Sequence, residues 1–169
     1  MILKRPIKLI FKLLASFFFF GILFSVQTTM GQAKNALGIG PAINTSKRGS
    51  YNTEGGFGGV LQGEIKLAPK FALIPAIGVE IPYTGYGGLS VKYYPADKVH
   101  LKLGAIAYIG GDMYAGLSPS VDVGCQLLSS GRHFIDLDLH GEVIKIDQYE
   151  NTTVIGLRLT YNFSFSRRK

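Results

Sequence analysis

The sequence predicts an all-β protein: an eight-stranded antiparallel up-and-down β-barrel of the kind that crosses a membrane, preceded by an N-terminal signal peptide. Three observations predict it. Eight segments alternate apolar and polar residues with period two, and in each the apolar residues occupy the odd-numbered positions. The connections alternate between tight turns and longer polar loops, as in outer-membrane barrels. The first 33 residues have the order of an export signal: bases, then an apolar run, then small residues.

The leader comes first. Lys4, Arg5, Lys8 and Lys12 precede an apolar run from Leu13 to Val26. That run is shorter than the roughly 20 residues a spanning helix needs. Cleavage after Gly31 or Ala33 is expected, which assigns 1–33 to the signal peptide and 34–169 to the barrel domain. The formal charge of +7 includes the four leader bases; without them 14 Lys and Arg face 11 Asp and Glu, leaving +3. The charge therefore gives no case for a nucleic-acid partner. Cys125, the single cysteine, has no intrachain partner and reads as a small apolar residue on a strand.

The strands follow in order. Leu37, Ile39, Pro41 and Ile43 alternate through Asn35–Asn44, and Phe57, Leu61, Ile65 and Leu67 through Gly56–Ala68. The third, Lys70–Pro82, carries Phe71, Leu73, Pro75, Ile77, Val79 and Ile81; the fourth, Tyr86–Tyr94, carries Leu89, Val91 and Tyr93. Val99 to Ile109, Met113 to Leu127 and Ile135 to Val143 continue the same parity. The last strand, Thr152–Phe165, is the most regular, with Ile155, Leu157, Leu159, Tyr161, Phe163 and Phe165 opposed to Val154, Gly156, Arg158, Thr160, Asn162 and Ser164. Pro69-Lys70, Pro95–Lys98 and Ser129–Arg132 read as tight turns. The even strand number puts both chain ends on that short-turn side. Gly55–Gly59 is not a phosphate loop, because no Lys-Ser/Thr follows it and no helix opens after it.

Alternation alone leaves the direction of the apolar row open: toward lipid, or toward the ligand cavity of a secreted lipocalin-like barrel. Three features point it toward lipid. The even row is rich in glycine (Gly38, Gly40, Gly58, Gly78, Gly104, Gly124 and Gly156 among others), as the crowded inside of an eight-stranded barrel requires. Aromatics of the odd row lie near strand ends, as two interfacial girdles would: Phe57, Phe71, Tyr83, Tyr93, Tyr161, Phe163 and Phe165. No odd position within a predicted strand body is charged.

This strand pattern, with the aromatic C-terminal strand Leu157–Phe165, resembles the small eight-stranded outer-membrane barrels of Gram-negative bacteria, the outer membrane protein A and X type, along the whole mature length. The resemblance implies a cell outer-membrane location reached through the Sec pathway, contact with outer-membrane lipid, and recognition of the C-terminal strand by the barrel-assembly machinery. In that family the chain ends on an aromatic. Here Ser166, Arg167, Arg168 and Lys169 follow Phe165, a departure from that ending.

With the even row inward, the lumen receives Glu64, Lys66, Glu80, Lys92, His100, Lys102, Asp122, Asp136, Asp138, His140, Glu142 and Arg158. Charges in so narrow a space are stable only when paired, so the expected arrangement is a structural salt-bridge plug. Turn-centred registers place Lys92 near Lys102 or His100, Asp122 near Asp138, and Arg158 across from His140. Six acids and nearly as many bases suggest close balance. Asp136, Asp138 and His140 have the i, i+2, i+4 spacing of metal ligands, but any polar strand face produces that spacing, and no metal or cofactor is expected. No catalytic residue is assigned: the lipid-facing row has no interior histidine for lipid A chemistry. The expected role is structural or surface-interacting, through Lys47–Glu54 and Asp147–Asn151, with a soluble ligand-binding barrel, a narrow pore and a lipid A-modifying enzyme as the alternatives.

Overall fold

The structure is a computed structural model and describes residues 32–44, 56–81, 84–109, 117–146 and 150–165. Residues 1–31 of the expected signal peptide, Tyr83 and most of the longer loops lie outside these residues, whereas Gln32 and Ala33 at the end of that expected segment are described. The strands are β1 (Ala36–Asn44), β2 (Gly56–Ala68), β3 (Phe71–Ile81), β4 (Thr84–Tyr93), β5 (Val99–Ile109), β6 (Leu117–Ser130), β7 (His133–Ile146) and β8 (Glu150–Ser164). Each pairs antiparallel with the next, and β1 closes on β8, so the sheet has no free edge.

Parity explains the sidedness. Leu37, Ile39, Leu61, Ile77, Leu89, Leu103, Val121, Leu139 and Leu157 are exposed on the outside, all odd-numbered. The buried side chains within the strands are all even-numbered, charged and apolar alike. One exposed large apolar residue breaks the rule, Leu128. It follows a β-bulge: Gln126 pairs with Asp136 but Leu128 with Ile135, which leaves Leu127 as the extra residue. A second bulge leaves Leu67 extra between Lys66↔Ala72 and Ala68↔Phe71. Both bulges sit beside tight turns. The β6–β7 turn is reduced to Gly131-Arg132, because Ser129 and Ser130 belong to β6 and Gly131 takes the positive φ of 60°.

The short-turn rim is bonded around its circumference. Tyr94 N donates to Lys70 O (3.0 Å), Gln126 N to Lys98 O (2.6 Å), Ser164 N to Arg132 O (2.7 Å), Phe165 N to Asn35 O (2.7 Å) and Ala33 N to Pro69 O (2.8 Å). The last of these folds the segment before β1 across the mouth. There Ala33 is buried with Ala72, Ile74 and Tyr94.

The aromatics separate by rim. Phe71 stacks on Tyr93 (5.0 Å between centroids), while His133 packs against Tyr161 (5.8 Å) and Phe163 (5.3 Å), and Phe163 against Phe165 (5.6 Å). All of these belong to the short-turn end. Of the expected girdle residues, Phe57 alone among the described ones marks the other end, where it is exposed.

Candidate functional site

Inward-facing residues of β2 and β4–β8 place ten of the twelve expected lumen charges in two connected groups. The first lies toward the short turns. Lys92 of β4 is fully buried and donates to Glu64 Oε2 of β2 (3.1 Å) and to Asp136 Oδ2 of β7 (2.8 Å). Glu64 also accepts from the Lys34 backbone N–H (2.8 Å) and the Tyr94 hydroxyl (2.7 Å) through Oε1. Tyr94 lies under the Lys92 ammonium, 4.9 Å from ring centroid to Nζ. One lysine therefore ties its own strand to two others, neither of them its neighbour.

The second group runs toward the longer loops. Asp138 of β7 accepts from His100 Nε2 (2.6 Å) and Lys102 Nζ (2.7 Å), both on β5. Lys102 stands 3.9 Å from Asp122 Oδ2. Asp122 hydrogen-bonds His140 Nδ1, and Arg158 Nη2 lies 3.1 Å from His140 Nε2. A guanidinium can only donate, so Nε2 is the acceptor, and Nδ1 carries the hydrogen given to Asp122. Glu142 Oε2 lies 3.3 Å from the same Nε2 and accepts from the Tyr108 hydroxyl. Arg158 Nη1 is 4.0 Å from Asp122, and the guanidinium carbon is 5.8 Å from the Tyr86 ring centroid. His100 Nδ1 and Arg158 Nε have no hydrogen-bond partner among the described residues.

Two expected members stand apart. Glu80 is buried at the longer-loop end, where Asn44 Nδ2 donates to it (3.0 Å). Lys66 is exposed, contrary to its even parity. The β1–β2 ladder stops at Ala36↔Glu64, so Lys66 overhangs it and the segment around Ala33 fills the mouth instead; the Lys66 backbone N–H meets Asn35 Oδ1 (2.8 Å). The expected near balance is corrected accordingly. Six buried carboxylates face three permanent cations, Lys92, Lys102 and Arg158, together with two histidines. Two expected registers also shift by two residues: Arg158 pairs with Asp138, and Asp122 with His140. Lys92↔Lys102 is as expected.

Sequence reasoning that sought only charges missed Tyr94, Tyr108 and Phe134. Their even numbers were the available signal, and all three point inward. Lys34 Nζ lies 4.1 Å from the Phe134 ring centroid, a contact that nothing in the alternation announces. The residues with metal-ligand spacing diverge: Asp136 goes to Lys92, Asp138 to Lys102 and His100, and His140 to Asp122 and Arg158. Among the described residues no cluster of three or more His, Cys, Asp or Glu is arranged to hold a metal ion.

No protein-family model matches the chain, and no curated protein matches it. Among solved structures it is similar to the outer membrane protein Ail of Yersinia pestis, determined in a phospholipid bilayer nanodisc. The identity is 15% and the TM-score 0.46, over 78% of this chain and 100% of that one.

Proposed function

We propose that the chain is an integral outer-membrane β-barrel with a structural or surface-interaction role, its lumen closed by paired charges. The observation that carries this reading is the inside-out distribution of side chains. Large apolar residues cover the outside of a closed barrel, while Lys92, His100, Asp136, Asp138 and His140 are almost wholly buried within it. A barrel carrying a small apolar ligand in water would need the reverse. Lipid solvates such an exterior, and closure leaves no strand edge with unsatisfied backbone groups in hydrocarbon. In this reading the termini face the periplasm, the 47–54 and 147–151 segments make any outer-surface contact, and the barrel-assembly machinery receives β8. The chain is assigned no catalysis, so expressing it should leave the lipid A mass spectrum unchanged.

Cell fractionation combined with a heat-dependent gel shift tests the reading: the folded form should partition with outer membranes and migrate faster unboiled. Leu103, between Val91 and Val121, is 66% exposed midway along β5. Leu103→Arg should cost about 2–4 kcal/mol in bilayers. A purified chain that stays monomeric in buffer without detergent, indifferent to Leu103→Arg, would sink the membrane assignment. Planar-bilayer recording addresses closure separately, with no steady conductance expected.

A further inference from the structure

The barrel's charges are partitioned by position, and the partition points to a partner. With the leader excluded, the lumen holds three permanent cations and six carboxylates. The longer-loop end, counted along the sequence with the adjoining strand ends of β7 and β8, has three bases (Lys47, Arg48 and Lys145) and four acids (Glu54, Asp112, Asp147 and Glu150). Among the described residues the short-turn end carries five bases, Lys34, Lys66, Lys70, Lys98 and Arg132, and a single acid, Asp97. The small net charge of the mature chain hides a rim whose described residues alone carry +4.

Geometry makes this a ring. The β2–β3 corner carries Lys66 and Lys70, the β4–β5 turn Lys98, and the β6–β7 turn Arg132. Lys34 precedes β1, and Arg167, Arg168 and Lys169 follow Phe165 in sequence. Every corner of this rim thus has at least one base. The carbonyls of Lys70, Lys98 and Arg132 each accept a backbone hydrogen bond from a residue beyond the next hairpin, which holds the corners at fixed intervals. Lys66 and Lys98 are exposed, Lys70 and Arg132 half-exposed. The aromatic cluster of Phe71, Tyr93, Tyr161, Phe163 and Phe165 lies at the same end, where amphipathic rings meet the headgroup layer.

We infer that the short-turn rim is a binding surface for anionic phospholipid headgroups, of the phosphatidylglycerol class, in the leaflet that these turns face. The inference rests on the membrane assignment above and adds the lipid class. A lipid annulus contacts all corners of a closed barrel at once, as this ring does. A layer of phosphodiesters matches it in sign and in extent.

The test is lipid selectivity. The full chain, reconstituted in phosphatidylcholine vesicles, is probed with spin-labelled phosphatidylglycerol or phosphatidylcholine, and the motionally restricted fraction of each is compared. The expected association ratio favours phosphatidylglycerol about fivefold at low salt, the factor contributed by one base near the headgroup. The ratio should fall toward one in the Lys66→Gln/Lys70→Gln/Lys98→Gln/Arg132→Gln variant. It should fall likewise for the unmodified chain at about 0.5 M salt, where screening shortens to a few ångströms, so the test survives a variant that fails to fold. Lys47→Gln/Arg48→Gln, at the opposite end, should leave it unchanged. A ratio near one for the unmodified chain at low salt, or an equal loss from the opposite-end variant, overturns the inference and leaves the membrane assignment standing. Loss of the preference on adding free glycerol 3-phosphate at the lipid's concentration assigns the rim to a soluble phosphate compound and also overturns it. If neither lipid shows a restricted fraction, the membrane assignment itself fails.

Discussion

The interior of the barrel has two unlike walls. From β1 to β3 the inward positions are mostly small or apolar: Gly38, Gly40, Ala42, Gly58, Val60, Ala72, Ile74, Ala76 and Gly78. From β4 to β8 they include Lys92, His100, Lys102, Asp122, Asp136, Asp138, His140, Glu142 and Arg158. An eight-stranded tube encloses little more than its own side chains, so a long ionised group on one wall needs space left by the other. Lys92 shows the consequence: it crosses the lumen to Asp136, three strands away, and to Glu64, two strands away in the other direction. The small wall and the charged wall are therefore one packing solution. The ties of Lys92, and those of His100 and Lys102 to Asp138, are transverse, joining strands that the backbone ladder does not connect.

If that is right, the most damaging single change is at the crossing point. Lys92→Met leaves Glu64 and Asp136 buried without their shared cation, and Glu64 is left to the Tyr94 hydroxyl and the Lys34 N–H. The expected cost is about 3–5 kcal/mol, read as a fall in the unfolding midpoint in urea by circular dichroism or by the gel shift. Adding Glu64→Gln and Asp136→Asn should return much of the loss, because the penalty belongs to the orphaned carboxylates. A Lys92→Met barrel as stable as its parent would break the comparison outright.

Arg158 sharpens it. The expectation from sequence is that its removal costs roughly 3–5 kcal/mol, as for any buried ion pair. Its geometry argues for less. Its carboxylate, Asp122, is 4.0 Å away and keeps His140 and Lys102, and Nε is without a partner among the described residues. Arg158→Met should therefore cost about 1–3 kcal/mol, clearly below Lys92→Met in the same assay. The reverse order would mean that the ladder-adjacent contacts, and not the crossing ones, hold the lumen.

How far these walls could be read from sequence depended on what interrupts the alternation. β5 begins and ends where the pattern does, because nothing disturbs its period of two, and β2 keeps its predicted ends although a bulge at Leu67 interrupts its period. β7 runs past its predicted ends, because the residues there stay paired: His133 with Phe163, and Lys145 with Asn151. The turn closes at Gly131-Arg132, later than the sequence suggests, and this carries the partner of Asp122 past Asp138; the bulge at Leu127, invisible in composition because Leu127 and Leu128 are both apolar, takes one residue back and leaves Asp122 opposite His140. Lys66 has inward parity but overhangs β1, a fact set by strand length and not by parity. The cross-lumen pairs were beyond reach in principle: register relates neighbours, and Lys92 and Asp136 are not neighbours.

The smallest expected effect concerns the glycines, and it separates the inside from the outside most cleanly. Gly124 faces inward on β6, and a methyl group there would collide with both the Asp138 carboxylate and the His100 ring. Gly87 faces outward on β4, and a methyl group there meets no atom within 4 Å. Gly124→Ala should cost about 1–3 kcal/mol by overpacking, whereas Gly87→Ala should stay within about 0.5 kcal/mol. The mechanism has its own check. If Gly124 exists to admit the His100–Asp138 contact, then His100→Ala should cost less in the Gly124→Ala background than in the parent, because the contact is already displaced there. Additive costs would show that the glycine merely relaxes the strand, and that the charged wall packs without its help.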